Sequence, residues 1–255
     1  MKQLVPFFLL CLLLGAARAH GEPIQAVTYE WPPYNYRENG EITGLSKEVV
    51  EAVLARAGLR SSFGIYPWPR AVMMAKTKKN VLIYTLRRIP ERESLYKWVG
   101  PITPPASSYL YRLKRRNDIV IESLDDTRRY VIGVVKGDSM HQHLLSRGFL
   151  EGRNLDVVSK EVLNLKKLFR GRIDLVVWTE LTLPLKASAA GLCYNQLEKA
   201  LVLWRDGEGY YSAFSRQTPD AVVERARIAL EQIRAEGFIR SAAAKYLKKV
   251  ERLER

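Results

Sequence analysis

Three short stretches of this 255-residue chain carry residues that could grip a small polar molecule. Gly137-Asp138-Ser139 follows directly on the apolar run Val131-Ile132-Gly133-Val134-Val135 and opens a helix. Its unpaired N–H groups and the Ser139 hydroxyl suit an anionic group, although an ordinary helix cap uses the same residues. Trp68 stands beside Arg70 in YPWPRA, a pairing common in recognition and equally at home in core packing. PPYNYRENGEITG, residues 32–44, sets two prolines and two tyrosines around an Asn39-Gly40 turn, which suggests one stiff aromatic wall of a pocket.

Signatures of catalysis are weaker. Glu30, Glu91, Asp138 and Glu180 fall in predicted loops, but their spacing marks no acid–base pair, and the sequence contains neither GxSxG nor HExxH. His141 and His143 alternate on a helix and so point apart, a poor chelating geometry that reads better as a solvated helix start. Cys193 reads as a lone buried thiol, with no histidine nearby in sequence to activate it. The expectation is therefore binding without turnover, with no metal and no cofactor.

The elements that must position these residues alternate between strand and helix. Ile24 to Tyr29 reads as a strand, Ser46 to Ala57 as a helix with a serine cap and Gly58 as its stop, Ser61 to Tyr66 as a strand, Pro69 to Lys78 as a helix and Val81 to Tyr84 as a strand. A second series runs from the strand at 131–135 through a strand at 155–158, a helix at 160–169 and a strand at 173–177. Two such series predict two α/β lobes with parallel strands. Tyr109-Leu110-Tyr111 and Leu201-Val202-Leu203-Trp204 look like paired crossings between the lobes, which favours a hinge over a flexible tether. Helices at about 219–233 and 242–253 are expected to pack on a sheet.

Lys2, the apolar run Leu4 to Leu14 and the ending Ala17-Arg18-Ala19 have the three-part layout of a cleaved secretory signal, too short to span a bilayer comfortably. Cleavage after Ala19 removes Cys11 and leaves Cys193 as the single thiol, so core burial rather than a disulfide must stabilise the secreted chain. The net charge of +14 invites a nucleic-acid reading, but the positive residues are scattered and secretion removes that partner. Attraction to an anionic ligand or cell surface fits the charge better.

Five stretches in order now resemble the polar amino acid-binding branch of the bacterial periplasmic solute-binding proteins, family 3: PPYNYRENGEITGLSKEVVEAVLARAG, IPERESLYKWVGPI, VIGVVKGDS, FRGRIDLVVW and EQIRAEGFIRSAAAKYL. The resemblance implies the type II periplasmic binding fold, α/β, with two lobes joined by two hinge crossings and closing over a ligand. It divides the chain into a signal at 1–19, a discontinuous first lobe at 20–110 and 205–255, and a second lobe at 111–204. It places Arg92 where the family's arginine grips the ligand carboxylate, Trp31 at a stacking aromatic with Tyr34 close behind it, and Trp68 and Arg70 at the cleft. It also implies a monomer in the periplasm that serves an ABC permease or a receptor in the inner membrane.

The departures from the family pattern carry the ligand reading. Counting from GRID, the family carboxylate that pairs with a ligand amino group falls at Thr179, which carries no charge. Positions that in relatives offer small hydroxyl residues read Thr85, Leu86 and Arg87. A pocket that loses an anion and gains a cation points to an anionic ligand, a dicarboxylate or an acidic amino acid derivative, with Glu180 or Asp138 able to restore the charge. A secreted enzyme of the same fold, dehydratase-like, and a ligand-sensing partner of a membrane receptor are the rival readings.

Overall fold

The structure, a computed structural model, describes residues 22–205 and 207–253, so the signal expected at 1–19 lies outside the described residues. The first half contains β1 (Ile24–Thr28), β2 (Tyr36–Glu38), β3 (Glu41–Thr43), α1 (Leu45–Arg56), β4 (Ser61–Ile65), α2 (Trp68–Thr77), β5 (Val81–Leu86) and β6 (Tyr96–Val99). The middle contains β7 (Ser108–Leu113), β8 (Ile132–Val135), α3 (Ser139–Ser146), β9 (Leu155–Val158), α4 (Val162–Phe169), β10 (Leu175–Thr179), α5 (Leu183–Ala189) and β11 (Leu197–Trp204). β12 (Tyr211–Ser215), α6 (Asp220–Ala235) and α7 (Phe238–Leu253) close the chain.

Two five-stranded sheets result, ordered β4-β1-β5-β12-β6 and β11-β7-β10-β8-β9. In each, four strands run in one direction and a fifth, β12 in the first sheet and β7 in the second, runs against them between the three adjacent parallel strands and the edge strand. The parallel strands are covered on both faces, so β5 reads VLIYTL with every residue buried. Its side chains alternate: Leu82 and Tyr84 join the core beneath α1 and α6, while Val81 and Ile83 join the core beneath α2. α6 supplies Val223, Ala226, Ala229, Leu230 and Ile233 to the first of these cores, as its helical spacing predicts.

The crossings differ from expectation. β7 and β11 pair antiparallel, Tyr109 opposite Val202, but both lie wholly inside the second sheet. The chain therefore leaves the first sheet after Val99 and joins the second at Ser108, a few residues before the boundary expected at 110. The stretch 101–105 with its three prolines, not the strand, makes the passage. There the two crossings are tied back to back: Ile102 N–H donates to the Tyr210 carbonyl at 2.7 Å, and Tyr210 N–H to Thr103 Oγ1 at 2.9 Å. Gly209, at φ +93°, allows that approach, because a Cβ there would stand 2.2 Å from the Thr103 carbonyl oxygen.

Three local expectations are corrected. α1 starts at Leu45 after Gly44, and Ser46 is buried inside its first turn rather than capping it. His141 is not solvated but 3 % exposed. Cys193 is exposed, because it lies in the loop ahead of β11 and not in a core.

Candidate functional site

A cavity of about 80 Å³ lies between the two sheets, and nearly all of its polar lining follows the carboxyl end of a parallel strand. Tyr29 and Trp31 follow β1, Trp68 follows β4, and Thr85 to Arg87 and Arg92 end or follow β5. From the other lobe, Asp138 and Ser139 follow β8, Glu161 and Asn164 follow β9, and Thr179 ends β10. This is where parallel strands leave loop and helix-start N–H groups available to a ligand.

A backbone irregularity delivers the β5 residues. Against β12, Leu86 pairs with Tyr211 and Tyr84 with Ser212, so Thr85 is an extra residue, a bulge. Thr85 sits at φ +64°, a left-handed conformation rare for a β-branched side chain. Its Oγ1 donates to Asn35 Oδ1, which ties it to the loop behind Trp31. The bulge turns Leu86 onto the α2 face and sends Arg87 into the cleft, 4 % exposed. Such strain costs roughly 1–3 kcal/mol and persists where surrounding contacts fix it, commonly at binding sites.

Arg87 lies over the rings of Trp204 and Tyr210 and donates to the Ala106 carbonyl, Ser108 Oγ and Tyr210 OH. Arg92, also 4 % exposed, stands over Trp68 and donates at 2.9 Å to the carbonyl of Gly137 in the opposite lobe and at 3.4 Å to that of Arg87. Trp68 Nε1 donates to the same Gly137 oxygen at 3.2 Å. A guanidinium has five N–H donors, so the two carbonyls leave Arg92 with capacity for a carboxylate. Burial pushes the Arg92 guanidinium below its usual range, opposed by the charge of Asp138.

Acceptors occupy the facing wall. Asp138 caps α3 by accepting from His141 N–H at 2.6 Å, and burial holds its carboxyl above the usual carboxylate range, against the pull of that N–H and of Arg92. Burial raises Glu161 likewise, against the Lys186 ammonium 2.9 Å away. The Asn164 amide oxygen is buried with no hydrogen-bond partner among the described residues. The cavity thus offers cationic donors on one wall and carboxylates with an amide oxygen on the other.

Of the residues expected at the site, Trp31, Trp68, Thr85, Arg87, Arg92, Asp138, Ser139 and Thr179 line the cavity. Tyr34 and Arg70 do not. Tyr34 is buried behind Trp31 and wedged edge-on against Tyr210, where it braces the wall. Arg70 is exposed on α2 and lies over the Tyr66 ring, because a position two residues beyond Trp68 lies on the opposite face of the helix. Glu180 pairs with Lys199 on the surface, away from the cavity, and Thr179 Oγ1 meets Thr182 Oγ1 at 2.7 Å. Tyr29, Ser108, Glu161, Asn164 and Tyr210 were missed. For Glu161 and Asn164 a signal existed: the strand at 155–158 runs into a helix just as 131–135 does. Among the described residues no group of three or more His, Cys, Asp or Glu is placed to hold a metal ion.

The two sheets, their two tied crossings and a cavity at the strand ends define a two-lobed solute-binding protein of the type II periplasmic fold. The chain belongs to the bacterial extracellular solute-binding proteins, family 3, whose profile matches residues 24–249. A curated relative, the probable amino-acid-binding protein YxeM of Bacillus subtilis (strain 168), is 21% identical over 224 residues, covering 84% of this chain and 79% of its own. Among solved structures, a histidine kinase sensor domain with similarity to periplasmic binding proteins superposes with a TM-score of 0.79 at 18% identity, covering 90% of this chain and 98% of its own. The arginine-, lysine-, histidine-binding protein ArtJ of Geobacillus stearothermophilus superposes with a TM-score of 0.74 at 17% identity, covering 92% and 100%.

Proposed function

We propose that this protein captures a small carboxylate-bearing, amino-acid-like ligand of net negative charge between its lobes. The observation that carries the reading is the convergence of two guanidinium groups, Arg87 and Arg92, on a cavity whose opposite wall holds Asp138, Ser139, Glu161 and Asn164. The carboxylate placed at Thr179 by the family pattern is absent, and Glu161 supplies one from a different strand end. An acidic amino acid has two carboxylates for the two guanidiniums and one ammonium for the acceptor wall. Trp31 and Trp68 supply flat apolar faces on which such a ligand packs.

The reading extends to a monomer in the periplasm that presents its closed form to an ABC permease. The family and YxeM's name, which makes it an amino-acid-binding protein, support this. The sensor-domain likeness supports a second reading, in which the same closed form signals through a membrane receptor. A secreted enzyme of this fold gains no comparable support. A thermal-shift screen of the secreted chain against acidic, neutral and basic amino acids and dicarboxylic acids tests the ligand class. Acidic compounds should raise Tm. Stabilisation by neutral or basic amino acids alone would overturn the anionic reading.

A further inference from the structure

A second cavity, of about 420 Å³, opens beside the first and shares Tyr29, Trp68, Val135 and Glu161 with it. Glu161 thus stands at the junction of the two, where a long ligand side chain would leave the inner cavity. The cation beside it is Lys186, one turn into α5. The Lys186 ammonium lies 2.9 Å from Glu161 Oε1 and donates at 3.1 Å to the carbonyl of Glu30 in the opposite lobe. One nitrogen therefore spans the junction, between a carboxylate of the second lobe and the loop that carries Tyr29 and Trp31 in the first. The Lys186 and Glu161 side chains are only 15% and 17% exposed, so water and salt screen this pair less than the surface pairs.

We propose that Lys186 is a specificity-determining residue: its ammonium holds the place beside Glu161 that a second cation of a ligand would need, so the site accepts one ammonium and rejects a basic side chain. The inference rests on the reading of the cavity as a site for an amino-acid-like ligand, and it deepens that reading. Two cations at one carboxylate repel each other, and Lys186 cannot withdraw without losing the Glu30 carbonyl across the cleft.

The acceptors that Lys186 does not touch suit a single ammonium. Asp138 lines the inner cavity, and Asn164 Oδ1, three residues beyond Glu161, is buried with no hydrogen-bond partner among the described residues. Of the other charges around the outer cavity, Arg37 donates to the Gly40 carbonyl at 3.2 Å and Lys160 is exposed. Glu30 and Asp138 oppose ionisation of Glu161, whereas Lys186 favours it. Removing Lys186 therefore leaves a carboxylate at the junction without the cation that now faces it.

The experiment is titration calorimetry of the secreted chain at about pH 8, which favours ionised carboxylates, with L-lysine and with L-norleucine, which has the same carbon chain and no distal cation. In Lys186→Met the Kd for L-lysine should fall about ten- to a hundredfold, the worth of a hydrogen bond to a charged group, while that for L-norleucine moves less than about threefold. Lys186→Arg keeps the cation and should reject L-lysine as wild type does. Lys186→Met with Glu161→Gln should lose the gain, and Lys186→Gln repeats the test should the Met variant not fold. A wild type that binds L-lysine as tightly as the neutral variants, an equal gain for L-norleucine, or a gain that survives Glu161→Gln would overturn the proposal. Stabilisation of the wild type by neutral rather than acidic amino acids would count against the proposed ligand class and leave this comparison standing, because neither titrant belongs to that class.

Discussion

Arg87 and Arg88 are neighbours in sequence with opposite fates. Arg87 turns into the cleft over Trp204 and Tyr210 and donates to a carbonyl and two hydroxyls. Arg88 turns to the outer face, where its Nε and Nη2 both donate to the carboxylate of Glu93 five residues on. There it helps line a groove of about 600 Å³ with Lys97, Arg216 and Arg227. The outer groove interleaves its cations with Glu93 and Glu231, and Lys97 also finds Asp220 and Arg227 finds Glu224. The inner cavity instead sets its guanidiniums on one lobe and its acceptors on the other. A basic surface is thus made neutral locally, whereas a basic pocket is arranged to be completed by a second molecule.

The largest test of this contrast is Arg92→Ala. It removes an inward guanidinium that donates directly to a backbone carbonyl of the opposite lobe, and binding of an acidic ligand found in the screen should weaken by about 2–5 kcal/mol by titration calorimetry, as for a buried charged contact left unpaired. Unchanged affinity would remove Arg92 from the site. Arg87→Lys is milder, because charge is kept while the planar fork and its stacking on Trp204 and Tyr210 are lost; about 1–2 kcal/mol of affinity should go with them. Retention of full affinity would mean that Arg87 acts as a point charge only.

Gly137→Ala probes the facing lobe. Gly137 sits at φ +70° with nothing within 4 Å of an added Cβ, so the cost is the left-handed backbone alone, about 1–2 kcal/mol by chemical denaturation. A neutral substitution would mean that the turn can be rebuilt without that conformation. Asp138→Asn keeps an N-cap acceptor but removes the charge. Burial raises the Asp138 carboxyl in the folded protein, so between the ordinary carboxylate value and the raised one the native state holds the proton more tightly than the unfolded chain. Stability contributed by this group therefore falls as pH rises through that window. The Tm of Asp138→Asn should gain on wild type as pH is raised from about 4 to 7. A constant difference would show that the aspartate is not buried against its charge.

The contrast also explains what could be read from sequence. Strand and helix periods gave the alternation of β1 to β5 and of β8 to β10, because parallel strands covered on both sides are continuous apolar runs and their helices carry apolar stripes. The carboxyl-end rule reached Gly137-Asp138-Ser139. The direction of individual side chains was not legible. Whether Arg87 or Arg88 enters the cleft depends on the Thr85 bulge, which is a matter of pairing with β12 more than a hundred residues away. Arg70, two residues beyond Trp68, falls on the opposite face of α2, and Glu161 enters from a helix start that carries no familiar motif. His141 reads as solvated in sequence because the groups beside its ring nitrogens, the Gly137 N–H and the Glu151 carboxylate, are brought to it by the turn and by the loop before β9.

The smallest effect belongs to the outer arginine, and it bounds all the others. Arg88 and Glu93 form two-pronged contacts, and each pulls the other toward the charged form, the Glu93 carboxyl sitting below its usual range because of Arg88. Their side chains nonetheless remain 41% and 52% exposed, so water and salt screen the pair and holding two long side chains in register costs entropy. Arg88→Ala should therefore change stability by less than about 1 kcal/mol and shift the affinity for an acidic ligand hardly at all. A loss of affinity comparable with that of Arg92→Ala would mean that ligand recognition follows the net positive charge of the first lobe. The placement of guanidiniums in the cleft would then be incidental.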